Sequence, residues 1–340
     1  MKTLKAYIIE GILDDMEDTL QAGDDMITKI EIQKFLKKAY HASKPFIIEG
    51  PDENGQFIVN CEGCVTLKNG DKYNMQSLNN GLPFVFGTIK KSFDCNQCKT
   101  LTSLEGAPDM VLGELGFSCC NCENLISLKN GPRYVENDFN CSNCRSLTSL
   151  EGSPETVDTY TCINNGQITN LKGITQEVKV INVNSCDNLI SLEGAPREVY
   201  GFSCNYCTKL TNLRFAPNIV KGRFECSNCT SLTSIEGAPR EVYAFDCSNC
   251  TSLTTLKGAP NKADIFNCSY CKKLVSLIGA PNKVNEFICT GCRSLMTLDG
   301  ISSRIANRLS CTQCGEDFSL EYINSFLKTK PDKIYRPRKK

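Results

Sequence analysis

A repeat solenoid is the fold class this sequence predicts, and three observations predict it. The stretch FDCSNCTSLTTLKGAP, Phe245 to Pro260, recurs about ten times with small changes, as FECSNCTSLTSIEGAP from Phe224, FNCSYCKKLVSLIGAP from Phe266 and FDCNQCKTLTSLEGAP from Phe93. With the first Cys as marker, the copies fall at Cys95, Cys119, Cys141, Cys162, Val183, Cys204, Cys226, Cys247, Cys268, Cys289 and Cys311, at intervals of 21 to 24 residues. Within each copy the order is fixed: an aromatic, a Cys, a second Cys three on, two Leu at three-residue steps, then Gly-x-Pro. A unit this short cannot bury a core alone and must stack on its neighbours.

Length alone, 340 residues, is compatible with two ordinary domains. The repeats instead define one regular array over 93–315, degenerate first repeats over 49–92, and non-repeating ends. In 1–48, Leu4, Ile8, Ile12, Met16 and Leu20 recur every four residues, which predicts an amphipathic helix. Gly23 ends it, and Asp24 or Asp25 caps a second helix with Ile27, Ile30, Phe35 and Leu36 on its apolar side. Residues 1–25 hold seven acids and two lysines. The expectation is an N-terminal helical cap over the first open edge of the stack. A docking or packaging tag is the competing reading. In the degenerate repeats, QFIVNCEGC keeps the cysteine spacing, SLNNGLPFV matches SLEGAPREV, and LKNGDKY reads as a turn.

In the regular array, alternation over Val242, Phe245 and Cys247 predicts a short strand with Phe and Cys inward. Stacked copies then pair as one long parallel sheet. Leu253 and Leu256 bring the chain back across the core, and Gly258 and Pro260 shape the corner. Twenty-one residues leave little room for a helix, so the opposite side should be turns and extended chain. Beyond Cys314, Phe318, Leu320, Tyr322, Ile323, Phe326 and Leu327 predict a C-terminal capping helix over 316–327, started by Asp317 or Ser319. Residues 328–340 have seven basic residues and one acid, and read as a solvated basic tail.

The segment Val242 to Cys250, VYAFDCSNC, is a conservative form of L-x-x-L-x-L-x-x-C and resembles the leucine-rich repeat. The match covers roughly two thirds of the chain, with one extra residue before the next Leu, C-x-x-L. The short period and the Leu-x-Gly-x-Pro segment are similar to bacterial-type repeats such as those of secreted effectors. Long Cys/Leu arrays behind a short acidic leader resemble proteins of bacterial viruses and gut bacteria. The resemblance implies a parallel sheet on a concave face, a convex side of turns, and a non-enzymatic scaffold that binds another protein. The ubiquitin-ligase domain that follows the repeats in some effectors has no counterpart here, so that activity is not carried over.

Composition narrows the function classes. Thirty-eight basic and 38 acidic residues give no net charge, so neither nucleic acid nor membrane is an expected partner. No apolar run suggests a signal peptide or a span, and the expected location is cytoplasmic, or host cytoplasm or virion for a viral protein. Twenty-three cysteines would ordinarily suggest disulfides or metal. Here they are locked to the repeat, and Val183 and Asn165 replace one member of a pair in two copies. Buried thiols forming ladders are expected, with no metal and no cofactor. A cysteine-rich metal-binding protein and a virion or cell-surface structural component are the alternative functions. His41 is the only histidine, which leaves no Ser-His or Cys-His pair in the array, so no enzyme is expected. The outward strand positions are small and polar. Tyr200, Tyr206, Tyr243 and Tyr270 are the aromatics nearest one rim and the candidate contact patch. Cys120 follows Cys119, which turns it outward and makes it the candidate exposed thiol.

Overall fold

The computed structural model describes residues 24–68, 71–315, 318–328 and 331–336. The leader helix expected over 4–20 and the cap at Asp317 lie outside the described residues. The chain opens with α1 (Asp24–Ala39), then β1 (Tyr40–Ala42) and β2 (Phe46–Glu49). Stacked coils follow, each giving one strand or two short strand pieces; all of them join one parallel sheet except β13 and β15, which pair with each other in a small second one. The first four coils carry β3 (Phe57–Cys61) and β4 (Val65–Leu67), β5 (Phe84–Ile89) and β6 (Ser92–Asp94), β7 (Met110–Val111) and β8 (Gly116–Ser118), and β9 (Tyr134–Val135) and β10 (Asp138–Asn140). Next come β11 (Thr156–Thr161), β12 (Glu177–Asn182), β13 (Glu198–Val199) with β14 (Gly201–Ser203), and β15 (Ile219–Val220) with β16 (Arg223–Glu225). The array ends with β17 (Glu241–Asp246), β18 (Lys262–Asn267), β19 (Lys283–Ile288) and β20 (Ile305–Ser310), then α2 (Leu320–Phe326) and β21 (Lys333–Tyr335).

In the intervals before Cys119 and Cys141 the strand is split into two pieces, and the 22-residue interval before Cys311 is taken up instead by a register shift between β19 and β20. Two half-ladders, β3–β5–β7–β9 and β4–β6–β8–β10, run side by side and merge on β11. From β17 to β19 the register is unbroken, with Phe245 opposite Phe266 and Phe266 opposite Phe287. Identical register brings identical residues together. Phe202, Phe224, Phe245, Phe266 and Phe287 form one stack with centroids 5.2 to 5.4 Å apart, and Phe93, Phe117, Phe139 and Tyr160 form another at 5.3 to 5.6 Å. Ile181 separates the two stacks. Each regular coil thus turns six side chains inward; in the coil of Cys247 they are Val242, Phe245, Cys247, Cys250, Leu253 and Leu256.

Tyr160 is the one tyrosine in the aromatic stack, and its hydroxyl needs a partner in the core. Ser153 stands where most copies have Ala in Gly-Ala-Pro, and its Oγ is 2.8 Å from the Tyr160 hydroxyl. Ser153→Ala should therefore cost about 1–3 kcal/mol in urea unfolding, the penalty for a buried unpaired hydroxyl. Adding Tyr160→Phe should recover most of that loss. Equal cost in both backgrounds would separate the two positions.

The ends differ in part from the sequence reading. Among the described residues, the segment expected as an all-helical cap contributes one helix and two strands: β1 runs antiparallel to β4, and β2 antiparallel to β3. On α1, Ile32, Phe35, Leu36 and Ala39 are buried, and the Phe35 ring meets Phe84 at 6.0 Å. The two strands escape a repeat-based reading because neither carries the Cys/Leu spacing. At the far end, Ser319 caps α2, its hydroxyl accepting the Tyr322 N–H at 3.0 Å, as expected. Phe318 and Ile323 are buried there. The tail was expected to be solvated throughout, yet Lys333–Tyr335 is a strand paired in parallel with β20. Two contacts hold it there: Leu309 faces Ile334 in register, and the Arg308 guanidinium lies 4.9 Å over the Tyr335 ring.

Candidate functional site

The cysteines come first, because they are the chemistry the sequence advertises. The structure contains only free thiols among the described residues. The two cysteines of a coil have different jobs. The second one donates its S–H to the backbone carbonyl of the first position in the preceding coil. Cys122, Cys144, Cys186, Cys229, Cys250 and Cys292 do so at 3.2 Å, and Cys207, Cys271 and Cys314 at 3.3 Å. Asn165 replaces one of these cysteines and keeps the bond: its Nδ2 donates to the Cys141 carbonyl at 2.8 Å. The Asn165 amide also donates to Cys162 Sγ at 2.8 Å, and its Oδ1 accepts the Cys144 N–H at 2.7 Å. The second position is therefore a buried donor site rather than a plain apolar slot. Val183 shows that the first position is the apolar one.

Asn165→Val should cost roughly 2–4 kcal/mol, since it strands a buried carbonyl and a buried N–H. Asn165→Cys restores the donor to the Cys141 carbonyl and should recover at least half. Chemical denaturation of the two variants checks this; equal losses would mean that volume, not the donor, sets the cost.

Burial and pairing hold most of the first-position thiols in the protonated form. In Cys119, Cys204, Cys247, Cys268 and Cys289 the hydrogen bond with a thiol of the next coil is the larger cause of the upward shift, and burial adds to it. In Cys95 and Cys226 burial is the larger cause. Metal binding needs thiolates, and among the described residues no group of three or more His, Cys, Asp and Glu is arranged to hold an ion.

Between the two cysteines lies a sharp corner. The residue just before the second Cys has φ between 56° and 74° in all eleven coils, from Gln97 to Gln313. Asn is the commonest occupant, in keeping with its tolerance of the left-handed region. Tyr206 and Tyr270 occupy two of these corners. Tyr200 lies instead between β13 and β14, and Tyr243 within β17, each six residues before the corner of its coil. The four tyrosines are all exposed but do not form one patch. A Cβ on Gly291 would lie 2.4 Å from the Tyr270 ring, and one on Gly222 would lie 3.1 Å from the Tyr200 ring. Both rings thus rest on a glycine of the next coil. Tyr243 lines a shallow cleft of about 340 Å³ with Ile219, Lys221, Glu241 and Lys262.

Cys120 does turn out of the core, but it is not freely exposed. Its Sγ lies 3.4 Å from the Ser118 hydroxyl and 3.8 Å from the Asn140 carbonyl, and burial pushes its thiol up. Neighbouring side chains crowd it because the strands of the sheet are only about 4.8 Å apart. His41 is exposed on β1, at the antiparallel end of the stack.

The return leg of each coil holds features that the inward pattern conceals. At the residue after the second Leu, consecutive coils carry Glu105, Lys129, Glu151, Lys172, Glu193, Arg214, Glu236 and Lys257, with signs alternating throughout. Ion pairs follow from that order: Lys129 with Glu151 at 3.1 Å, Lys172 with Glu193 at 2.9 Å, and Arg214 with Glu236 at 3.3 Å. The corner that follows has positive φ, and Phe215 fills it in one coil with φ 67° where most coils have Gly. The Phe215 ring is 63% exposed, so no packing offsets the strain. Phe215→Gly should stabilise the protein by about 1 kcal/mol, read as a raised denaturation midpoint.

Comparison with known protein families, curated proteins and solved structures finds no match for this chain.

Proposed function

We propose that this chain is a leucine-rich-repeat-type scaffold, non-enzymatic, that binds another protein. One observation carries the reading: the outward face of the sheet is a network of small polar side chains linked from coil to coil. Ser118 Oγ donates to Asn96 Oδ1 at 2.7 Å, Ser203 Oγ to Asn184 Oδ1 at 2.7 Å, Ser227 Oγ to Asn205 Oδ1 at 2.8 Å, and Asn267 Nδ2 to Asp246 Oδ2 at 3.2 Å. A surface ordered in advance loses little entropy on binding. The thiols, the other abundant reactive groups, are committed to core hydrogen bonds. On this reading α1 and α2 act as caps for the two ends of the stack. The resemblance to bacterial-virus and gut-bacterial arrays suggests a host-cytoplasmic or virion setting.

The test uses cross-linking capture from the native host with wild type and with Ser203→Arg/Ser227→Arg, which places two cations on the face. A protein retained by the wild type and lost by the variant, at unchanged melting temperature, is the expected result. Equal capture by both would remove this face from the reading.

A further inference from the structure

The alternating charges of the return leg stop at one place. After Lys257 the next coil should supply an acid, and it supplies Ile278, 61% exposed. Val275 and Met296 are 52% and 56% exposed, in a column held by Thr211, Thr233 and Thr254 in the preceding coils. Val275 and Ile278 lie three residues apart on one return leg, and Met296 takes the place of Val275 in the next coil. Met296 N–H donates to the Val275 carbonyl at 3.1 Å, and Gly300 of the next coil packs against the Ile278 backbone. Lys257, Lys272, Lys273 and Arg293 are exposed around them, and among the described residues none of the four makes an ion pair. Asp299 is the one acid on the border, in the charge column next to Ile278. An apolar centre ringed by unpaired cations fits an acidic ligand with an apolar stripe.

The chain contains one such segment. Leu4, Ile8, Ile12, Met16 and Leu20 recur at helical spacing, with Glu10, Asp14, Asp15, Glu17 and Asp18 between them. Folded as the helix that its spacing predicts, it would fall short of the patch of its own chain. Nine strand steps separate β3 from β18, about 43 Å, whereas from Asp24 to the middle of a helix over 4–20 the span is only about 26 Å. We infer that the Val275, Ile278 and Met296 patch receives the acidic N-terminal segment, residues 4–20, of a second copy of this chain. A contact of three apolar residues and a cationic rim belongs to the small, transient class of interface. The pairing is head to tail, so each copy contributes one segment and one patch.

Full-length protein is to be followed by sedimentation velocity from about 10 μM to about 1 mM at low and high salt. Mass should rise with concentration at low salt and fall back when salt screens the rim. Ile278→Glu restores the acid that the charge column lacks beside Lys257, so the variant should fold with an unchanged melting temperature. Its self-association should weaken at least tenfold, and Ile12→Glu should do the same from the other side of the contact. A wild type that stays monomeric throughout overturns the inference and leaves the patch to a different protein. Self-association that both variants leave intact overturns it as well, by placing the contact on another face.

Discussion

Raising the pH above about 9 is expected to unfold the array over a narrow interval, with a midpoint near pH 10. Eight first-position thiols, Cys95, Cys119, Cys162, Cys204, Cys226, Cys247, Cys268 and Cys289, are held well above the ordinary thiol range. In the unfolded chain they ionise from about pH 8.5, while in the fold they stay protonated. The unfolded state then binds fewer protons, so stability falls as pH rises. The contribution is fully present below the unfolded value and is lost above it. Each thiol that stays protonated in the fold removes about 1.4 kcal/mol per pH unit, so several together rival the whole stability of a typical domain, about 5–15 kcal/mol. Cys144 and Cys314 are shifted the other way, their thiolates accepting from Cys119 and Cys289, and offset part of the effect. Circular dichroism against pH under reducing conditions measures it. The triple variant Cys204→Val/Cys226→Val/Cys247→Val, which copies Val183, should shift the midpoint upward. A fold unchanged to pH 11 would refute the protonated-core account.

The second large effect is Phe245→Ala, expected to cost about 3–5 kcal/mol. Phe245 is fully buried and stacks on Phe224 and Phe266 at 5.4 Å on each side. Truncation opens a cavity and breaks the stack in the middle of its five rings. In a linear array each coil touches only its neighbours, so the damage should divide the chain instead of weakening it evenly. Urea unfolding is expected to become broader or biphasic, with proteolysis entering near the coil of Cys247. Ser252→Ala, which removes a half-buried hydroxyl on the same coil, should cost under about 0.5 kcal/mol. Equal midpoints for the two variants would contradict the inward placement of Phe245.

The stacked architecture was legible because Phe, Cys and Leu recur at a spacing that only stacking can satisfy. Phe245, Cys247, Leu253 and Leu256 all point inward, as the alternation required. The donor role of the second cysteine was not read, because a buried thiol passes for a small hydrophobe; Asn165, an amide at an inward position, was its one visible sign. The left-handed corners could be found in the Asn-rich column of Asn121, Asn143, Asn164, Asn228 and Asn249. β21 has a single apolar residue, Ile334, too little to signal a strand between charged neighbours. The four candidate tyrosines are exposed, but their division into two separate columns depends on where the strand stops and the corner begins, which spacing alone does not show. The patch at Ile278 went unread because its meaning depends on the charges of the adjacent coils.

The alternation of charge along the return leg also bears on how such a gene can change length. Losing the 21-residue coil that carries Glu151 would set Lys129 beside Lys172, and duplicating it would set two glutamates side by side. Like charges directly opposed on neighbouring strands are destabilising. Losing Glu151 and Lys172 together would bring Lys129 against Glu193 and leave the order intact. Recombination should therefore lengthen or shorten this array by two coils at a time, and an engineer who trims it should cut in the same steps.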